Sequence, residues 1–266
     1  MPLSSVNLQG QHILVTRPQQ QSGTLITLIE QHGGQAIAFP TLEIVPVIND
    51  SLKQQLKNIK AYQWLIFISA NAVNFAVAAN NGKIEPFTQL KIAAVGKATE
   101  KALENVGLTV DLVPKTGFNS EALLATDVFL QVKEQRILIV RGEGGREILA
   151  QALRERGAMV DYLEVYQRIM PVAKAKTAAV LTALQQGQID MIIITSGQIL
   201  QNLLLLLEKH RTLLFNIRLV VVSERIEQLA KSLGFKHIVV SSPDDRAILN
   251  TMVMLINGED SGRRTN

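Results

Sequence analysis

The sequence predicts an α/β protein of two similar lobes, each a parallel sheet flanked by helices. Short runs rich in valine and isoleucine alternate with segments of helical period, which is typical of parallel strands joined by helices. This pattern occurs twice, because Ser69 and Gly107 return as Ser196 and Gly234, each 127 residues later. At 266 residues the chain is long enough for two domains of roughly 100–150 residues.

The first repeat begins with a strand expected at 12–16, and its apolar run Ile13-Leu14-Val15 is typical of a strand buried on both faces. A helix is expected at 20–32, and Gly33-Gly34 ends it because glycine takes the left-handed cap. The other elements expected in this repeat are strands at 36–39, 64–68, 91–95 and 109–112, an extended segment at 41–47, and helices at 70–79, 97–106 and 120–132.

The second repeat follows the same order, starting with a strand at 136–140 that matches 12–16. Its other expected elements are strands at 159–163, 191–195, 219–222 and 237–240, an extended segment at 165–170, and helices at 146–156, 174–185, 198–208, 224–232 and 245–256.

The boundary between the lobes can be predicted in two ways. Duplication alone suggests a cut near residue 130. The proline-flanked segments at 41–47 and 165–170 lie at equivalent points of the two repeats and could pair as a two-stranded connector. On that interpretation the first lobe is 1–39 plus 171–258, the second lobe with the connector strands is 40–170, and 259–266 is a disordered tail.

Composition narrows the possible partners. The net charge is +4, but only 5% of residues are aromatic, which does not favour nucleic-acid binding. There is no cysteine, and the four histidines show no metal-ligand spacing. The first residues do not read as a signal peptide and no apolar run reaches about 18 residues. We therefore expect a cytoplasmic protein that binds an acidic small molecule, without metal or membrane.

Six predicted strands run directly into a helix through small or polar residues. A helix that begins at the carboxyl end of a parallel strand offers unpaired N–H groups to a carboxylate or phosphate. Alternatively Ser69, Thr99 and Ser196 are ordinary helix N-caps. The six turns are Thr16-Arg17-Pro18, Ser69-Ala70-Asn71-Ala72, Gly96-Lys97-Ala98-Thr99, Arg141-Gly142-Glu143-Gly144-Gly145, Thr195-Ser196-Gly197-Gln198 and Ser223-Glu224-Arg225.

No cofactor motif accompanies these turns. In the glycine-rich turn after Arg141, the third glycine of a dinucleotide fingerprint would fall at Glu147. The chain also has no phosphate loop and no nucleophile elbow. We therefore expect no cofactor.

Taken in order, the motifs of the chain resemble those of uroporphyrinogen-III synthases over nearly its whole length. One departure is the turn Ser223-Glu224-Arg225-Ile226, where the family often has Gly-x-x-Thr. The motifs are Ile13-Leu14-Val15-Thr16-Arg17-Pro18, Ile68-Ser69-Ala70-Asn71-Ala72-Val73, Ala94-Val95-Gly96-Lys97-Ala98-Thr99, Arg141-Gly142-Glu143-Gly144-Gly145-Arg146, Glu164-Val165-Tyr166 and Thr195-Ser196.

The resemblance implies an enzyme that cyclises hydroxymethylbilane, a linear tetrapyrrole with eight carboxylates, to uroporphyrinogen III. The hydroxyl leaves as water and the terminal pyrrole ring is inverted, with neither cofactor nor metal. Handover of the substrate by hydroxymethylbilane synthase is a further hypothesis. The substrate-binding residues that the resemblance implies are Arg17, Ser69, Ala70, Gly96, Lys97, Thr99, Arg141, Gly142, Thr195, Ser196, Gly197 and Ser223.

Three side chains have two interpretations each. The resemblance implies that Tyr166 donates a proton to the departing hydroxyl at the mouth of a cleft between the lobes, since a phenol stays protonated at neutral pH. Alternatively Tyr166 packs the hinge. Arg17 and Arg141 either clamp substrate carboxylates or hold strand ends by salt bridges.

Two other functions remain open on the sequence. A two-lobed cytoplasmic binder or sensor of an anionic metabolite would share the fold and the anion-binding turns. A nucleotide-using transferase is a weaker alternative because the phosphate loop is missing. Conversion of hydroxymethylbilane to the III isomer distinguishes the enzyme from both.

Overall fold

The computed structural model describes residues 7–145, 147–172 and 174–258. The predicted tail 259–266 and Arg146, the first residue of the predicted helix 146–156, lie outside the described residues. The chain divides into two compact units, and it passes from one to the other at Glu43/Ile44 and at Arg168/Ile169. The sequence prediction placed these passages at 39/40 and 170/171. The first unit is therefore built from two separate parts of the chain.

The first unit contains a five-stranded sheet in the order β10-β9-β8-β1-β2. All four neighbouring pairs are parallel, and Leu14 for example pairs with Ile37 on one side and Ile192 on the other. The strands are β1 (His12–Val15), β2 (Gln35–Ala38), β8 (Met191–Ile194), β9 (Arg218–Val221) and β10 (Ile238–Val240).

The second unit contains a five-stranded sheet in the order β3-β7-β6-β4-β5. The pairs β7–β6, β6–β4 and β4–β5 are parallel. The strands are β3 (Glu43–Pro46), β4 (Trp64–Phe67), β5 (Lys91–Ala94), β6 (Arg136–Gly142) and β7 (Met159–Ile169). Two mostly parallel sheets flanked by helices confirm the predicted α/β class.

Most helices begin where helical period begins in the sequence. Four agree with the predicted bounds at both ends, namely α3, α8, α10 and α11. The helices are α1 (Gly23–Gln31), α2 (Asp50–Lys57), α3 (Ala70–Ala79), α4 (Lys97–Asn105), α5 (Ser120–Leu124), α6 (Asp127–Leu130), α7 (Ile148–Glu155), α8 (Lys174–Gln185), α9 (Gly197–Leu206), α10 (Glu224–Ser232) and α11 (Asp245–Ile256).

Each sheet is covered on both faces. In β4, Trp64 and Ile66 enter one hydrophobic core with Phe129, whereas Leu65 and Phe67 enter a second core on the opposite face. The same alternation in the first unit sends the side chains of β8 and β9 into two cores. Because successive strand residues point to opposite faces, a strand covered twice must be apolar at every position.

Four predicted elements differ from the structure by more than their bounds. The strand at 109–112 is reduced to one bridge between Leu112 and Ala93. The helix at 120–132 is interrupted, because the Thr126 hydroxyl bonds to the Leu123 carbonyl and a second helix starts at Asp127. The strand at 159–163 and the extended segment at 165–170 form one strand, β7. Helix α2 was not predicted at all.

A polar cluster occupies the amino ends of β4, β6 and β7 in the second unit. The Tyr62 hydroxyl donates a hydrogen bond to Asp161 Oδ2 over 2.8 Å, and the Arg136 guanidinium carbon lies 5.0 Å from the centre of the Tyr62 ring. Burial, this hydrogen bond and the charge of Asp161 raise the pKa of Tyr62 to about 12, although Arg136 opposes the shift.

This pKa predicts a loss of stability in alkali that Tyr62→Phe removes. The pKa of the phenol in the unfolded chain is about 10. Between pH values of about 10 and 12 the folded state therefore retains the proton of Tyr62 while the unfolded state loses it. The free energy of unfolding should fall with pH in that window, more steeply in the wild type than in Tyr62→Phe. Urea unfolding at several pH values between about 9 and 11.5 measures both slopes. Equal slopes would contradict the raised pKa of Tyr62.

Candidate active site

The sheet orders bring the predicted strand-end turns together within each unit. In the first unit β9, β8 and β1 are neighbours, so the turns that carry Ser223, Ser196 and Arg17 follow three adjacent strands. In the second unit β6, β4 and β5 are neighbours, and they lead to Gly142, Ser69 and Gly96. Because the strands of each trio are parallel, each set of turns shares one carboxyl edge of its sheet.

Three of these turns are serine N-caps of the same geometry. The hydroxyl oxygens of Ser69, Ser196 and Ser223 accept hydrogen bonds from the backbone N–H three residues on, over 3.1, 3.2 and 3.4 Å. Gly96 holds the equivalent extended conformation at the start of α4 without a side chain. A cap of this kind satisfies one of the first N–H groups of a helix and leaves the others to bind water or an anion.

The other predicted residues at these turns have different environments. Ala70 and Gly197 are the first residues of α3 and α9, and Thr195 lies half-buried between β8 and its turn. Lys97 is exposed at the start of α4, and its ammonium group pairs with Glu100 over 2.8 Å. These positions place backbone donors, and in one case a cation, at the carboxyl edges.

Thr99 requires a correction. The sequence predicts either an N-cap or a substrate contact at this position, but the cap of α4 is Gly96, and Thr99 lies inside the helix with 4% of its surface exposed. The physical reason is the period of the helix, which turns this position towards the core. The Thr99 hydroxyl is therefore not presented at the edge of the sheet.

Arg17 and Arg141 are both buried and both engaged with the protein. Arg17, 8% exposed, pairs with Asp245 over 2.5 Å, and Arg141, 2% exposed, pairs with Glu147 over 3.1 Å. A charge removed from water requires a partner in the protein, and these carboxylates provide it. In this structure the guanidinium groups hold strand ends by ion pairs, and the role of carboxylate clamp stays a prediction.

Arg141 also organises the glycine-rich turn that follows β6. Its guanidinium donates to the carbonyl oxygens of Gly142, over 3.1 Å, and of Gly144, and it stacks 4.4 Å from the centre of the Tyr162 ring. The Tyr162 hydroxyl in turn donates to Glu147. This hydrogen bond, followed by those from Arg141, lowers the pKa of Glu147, whereas burial and then the same bond raise the pKa of Tyr162.

Tyr166 is buried in the structure. The resemblance implies a proton donor at the mouth of a cleft, and this role stays a prediction. Only 1% of the surface of Tyr166 is exposed, and the residue belongs to a hydrophobic core of the second unit. Its ring centre lies 5.5 Å from that of Phe75, and its hydroxyl lies 3.3 Å from Ser69 Oγ. The phenol therefore contacts the strand-end turn by way of the Ser69 hydroxyl, while Tyr166 itself is almost entirely covered by protein.

A β-bulge explains the position of Tyr166. The pairing of β6 with β7 passes from Arg141–Glu164 to Gly142–Tyr166, so Val165 is an extra residue in β7. The tyrosine is thereby placed opposite a residue without a side chain, and a Cβ on Gly142 would overlap the ring. A bulge commonly redirects a side chain beside a functional site.

The sequence did not indicate the side chains that contact Arg17, Arg141 and Tyr166. Asp245, the partner of Arg17, is 228 residues away in the chain, and no sequence signal indicated the pair. Phe75 lies on the inner side of α3, where helical period alone could have suggested contact with β7. Glu147 and Tyr162 were not singled out, because they come together only when β6 and β7 pair.

Within 7–145, 147–172 and 174–258, no group of three or more histidine, aspartate or glutamate side chains is arranged to hold a metal ion. In the same ranges no helix is long and apolar enough to cross a membrane.

Comparison with known proteins identifies similar sequences and folds. The family model described as HEM4, uroporphyrinogen-III synthase HemD, matches residues 23–250. The uroporphyrinogen-III synthase of Escherichia coli K12 is 33% identical over 245 residues, which cover 90% of this chain and 99% of that protein. That of Salmonella typhimurium LT2 is 32% identical over 250 residues, with the same coverage of both chains.

Two crystal structures share the fold at low sequence identity. A uroporphyrinogen-III synthetase from Helicobacter pylori 26695 superposes with a TM-score of 0.64 at 14% identity, covering 92% of this chain and 99% of that one. A mutant uroporphyrinogen III synthase from Thermus thermophilus gives 0.62 at 16% identity, covering 94% of this chain and 100% of that one. At these identities the superpositions support the two-lobed α/β fold alone.

The contact between Gly142 and Tyr166 predicts that Gly142→Ala destabilises the protein by about 1–3 kcal/mol, the usual cost of overpacking a core. The cost should largely disappear in a Tyr166→Ala background, because the overlapping ring is then absent. Urea unfolding of the two single variants and the double variant measures this coupling.

The control for this series is Gly23→Ala. Gly23 is the first residue of α1, and a Cβ there meets no atom within 4 Å, so this variant should be neutral or slightly stabilised. If the cost of Gly142→Ala were the same with and without the Tyr166 ring, the steric assignment would be refuted.

Proposed function

The chain belongs to the uroporphyrinogen-III synthase family, and from this premise we propose that it binds hydroxymethylbilane through the strand-end turns and cyclises it to uroporphyrinogen III. The observation that supports the binding mode is the repetition of one geometry at these turns. Ser69, Ser196 and Ser223 cap the following helices in the same way, and Gly96 is the N-cap that corresponds to Ser223 in the other repeat. This is a set of similar anion-binding positions.

The substrate suits such a set of positions. Hydroxymethylbilane carries eight carboxylates, and backbone N–H groups at a helix start bind a carboxylate through hydrogen bonds and the helix dipole. We propose that the turns carrying Ser69, Ala70, Gly96, Lys97 and Gly142 bind carboxylates in the second unit. The turns carrying Thr195, Ser196, Gly197 and Ser223 do so in the first.

The reaction itself demands mainly positioning. The hydroxyl leaves as water to give an azafulvene, and the substituted carbon of the terminal ring attacks it. The resulting spiro intermediate fragments and recloses with that ring inverted. Closure without guidance gives the I isomer, so the enzyme must hold a flexible chain with its reacting ends in the less accessible orientation. Fixing two reacting groups in this way lowers the barrier by removing entropy before the reaction.

The roles of the buried arginines follow from their contacts. We propose that Arg17 and Arg141 act on substrate binding indirectly, because their guanidinium groups orient the strand ends that carry the turns. Removing Arg17 would leave the partly buried Asp245 without its ion pair, and removing Arg141 would leave the carbonyl groups of Gly142 and Gly144 without their donor. Either change should displace the backbone donors.

Two statements about the setting of the enzyme belong to the same proposal. We propose that it acts in the cytoplasm, where a bacterial biosynthetic enzyme such as the Escherichia coli relative would operate. Handover of substrate by hydroxymethylbilane synthase is also proposed, since an intermediate that closes spontaneously to the wrong isomer benefits from rapid transfer. The alternative, an anion binder without catalytic activity, shares the turns but predicts no turnover.

Isomer analysis with the purified protein tests the activity. Incubation with hydroxymethylbilane, oxidation of the product and chromatographic separation of the porphyrins should give mainly the III isomer, formed faster than spontaneous closure gives the I isomer. The sample without protein measures that background. Formation of the I isomer alone at the background rate would refute the proposed enzyme and favour the binder.

Removal of single cap hydroxyls in the first unit tests the binding mode. We expect Ser196→Ala and Ser223→Ala each to lower kcat/KM by about 5- to 150-fold, equivalent to roughly 1–3 kcal/mol for one hydrogen bond, because the backbone donors remain. Asn49→Ala is the matched control, since Asn49 caps α2 by the same contact, over 2.7 Å, and belongs to none of the six strand-end turns. Loss of all activity in Ser196→Ala with the fold intact would contradict a site built from many backbone donors.

A further inference from the structure

We infer that Ser69 presents the hydroxyl that contacts the departing group of the substrate, and that Tyr166 is a positioning residue that acts through Ser69. The inference rests on the proposed function and concerns residues of the second unit alone. Tyr166 is 1% exposed, whereas Ser69 is half-buried at the carboxyl end of β4. Of these two residues, whose hydroxyl oxygens lie 3.3 Å apart, only Ser69 has appreciable exposed surface.

Burial decides which of the two hydroxyls donates the hydrogen bond. If Ser69 were the donor, the phenol proton of Tyr166 would need another acceptor, and the described residues offer it no hydrogen-bond partner besides Ser69. A buried donor without an acceptor destabilises the folded state. The favoured arrangement therefore has the phenol donating to Ser69 Oγ.

This direction fixes the orientation of the Ser69 hydroxyl. Its oxygen accepts one hydrogen bond from the Ala72 backbone N–H over 3.1 Å and a second from Tyr166, so both of its lone pairs are used. Its single hydrogen must then point away from both donors, towards the open edge of the sheet. An otherwise rotating hydroxyl is held ready to donate, and this preorganisation costs nothing when the reaction occurs.

The proton that the departing hydroxyl needs to leave as water can pass from Tyr166 through Ser69. As the carbon–oxygen bond of the hydroxymethyl group breaks, its electron pair stays on the oxygen, which takes the Ser69 proton. Ser69 takes the proton of Tyr166, and the resulting phenolate lies near the Arg168 guanidinium, 5.7 Å from the ring centre. The proton returns when the terminal ring loses its own proton after ring closure, so the net change is the loss of one water.

A double-mutant cycle on kcat tests the inference. The variants are Ser69→Gly, Tyr166→Phe and their combination, and glycine is chosen because it costs an N-cap only a few tenths of a kcal/mol. We expect Ser69→Gly to lower kcat about 100-fold or more, within the range of general acid assistance, and Tyr166→Phe to lower it about 10-fold. The double variant should be no slower than Ser69→Gly, KM should change little, and each slowed variant should release more I isomer.

Two controls separate this role from a structural one. Asn49→Gly removes a cap in the same unit and should leave kcat and the isomer ratio unchanged. Ser69→Thr retains a hydroxyl and should keep kcat within several-fold of the wild type.

Three results would overturn the inference while the wild type still forms the III isomer. They are a larger loss from Tyr166→Phe than from Ser69→Gly, a double variant whose loss is the product of the single losses, and unchanged kcat in Ser69→Gly. A wild type that forms no III isomer would instead refute the proposed function, and this inference with it.

Discussion

Coverage of each sheet on both faces is the constraint on which the rest of this structure depends. Successive side chains of β4 enter different hydrophobic cores, so polar groups have no place along the strand itself. Unpaired polar groups buried there would be costly. Polar chemistry is therefore confined to strand ends, and the parallel direction of neighbouring strands collects those ends at one edge of each sheet.

The strand ends are themselves held by buried charge. Arg17 follows β1 and pairs with Asp245 at the start of α11, and Arg141, the last residue but one of β6, pairs with Glu147 before α7. Both cations thus connect the end of a strand to the start of a helix in the same unit. The equivalent arginines of the two repeats thus hold their strand ends by the same kind of ion pair. Their carboxylate partners lie at unrelated positions in the sequence.

Much of the fold was predictable because it depends on local pattern. Apolar runs indicated the strands, and the serine turns before α3, α9 and α10 indicated both the helix starts and the candidate site. Helix α2 was missed although its signals were present, since Asn49 precedes it and Leu52 and Leu56 have helical spacing. The break at Thr126 and the loss of the strand at 109–112 depend on local hydrogen bonds and edge pairing that composition does not show.

The environment of Tyr166 was beyond sequence reasoning for a different reason. Its burial follows from one extra residue in β7, which turns the side chain over Gly142, and this register exists only once β6 and β7 have paired. A motif can indicate that a tyrosine belongs to a site. Whether its hydroxyl or that of a neighbour faces outward depends on the pairing.

The discontinuous first unit has a consequence for synthesis on the ribosome. Strand β1 pairs with β8, and Leu14 and its partner Ile192 are separated by 178 residues. At roughly 5–20 residues per second the N-terminal strands emerge about 10–35 s before that partner exists. The second unit, whose chain is continuous from Ile44 to Arg168, is complete before then. The second unit can therefore fold before the first, although the first unit contains the N-terminal strands. The apolar strands β1 and β2 are the segments that a chaperone would have to shield during that interval.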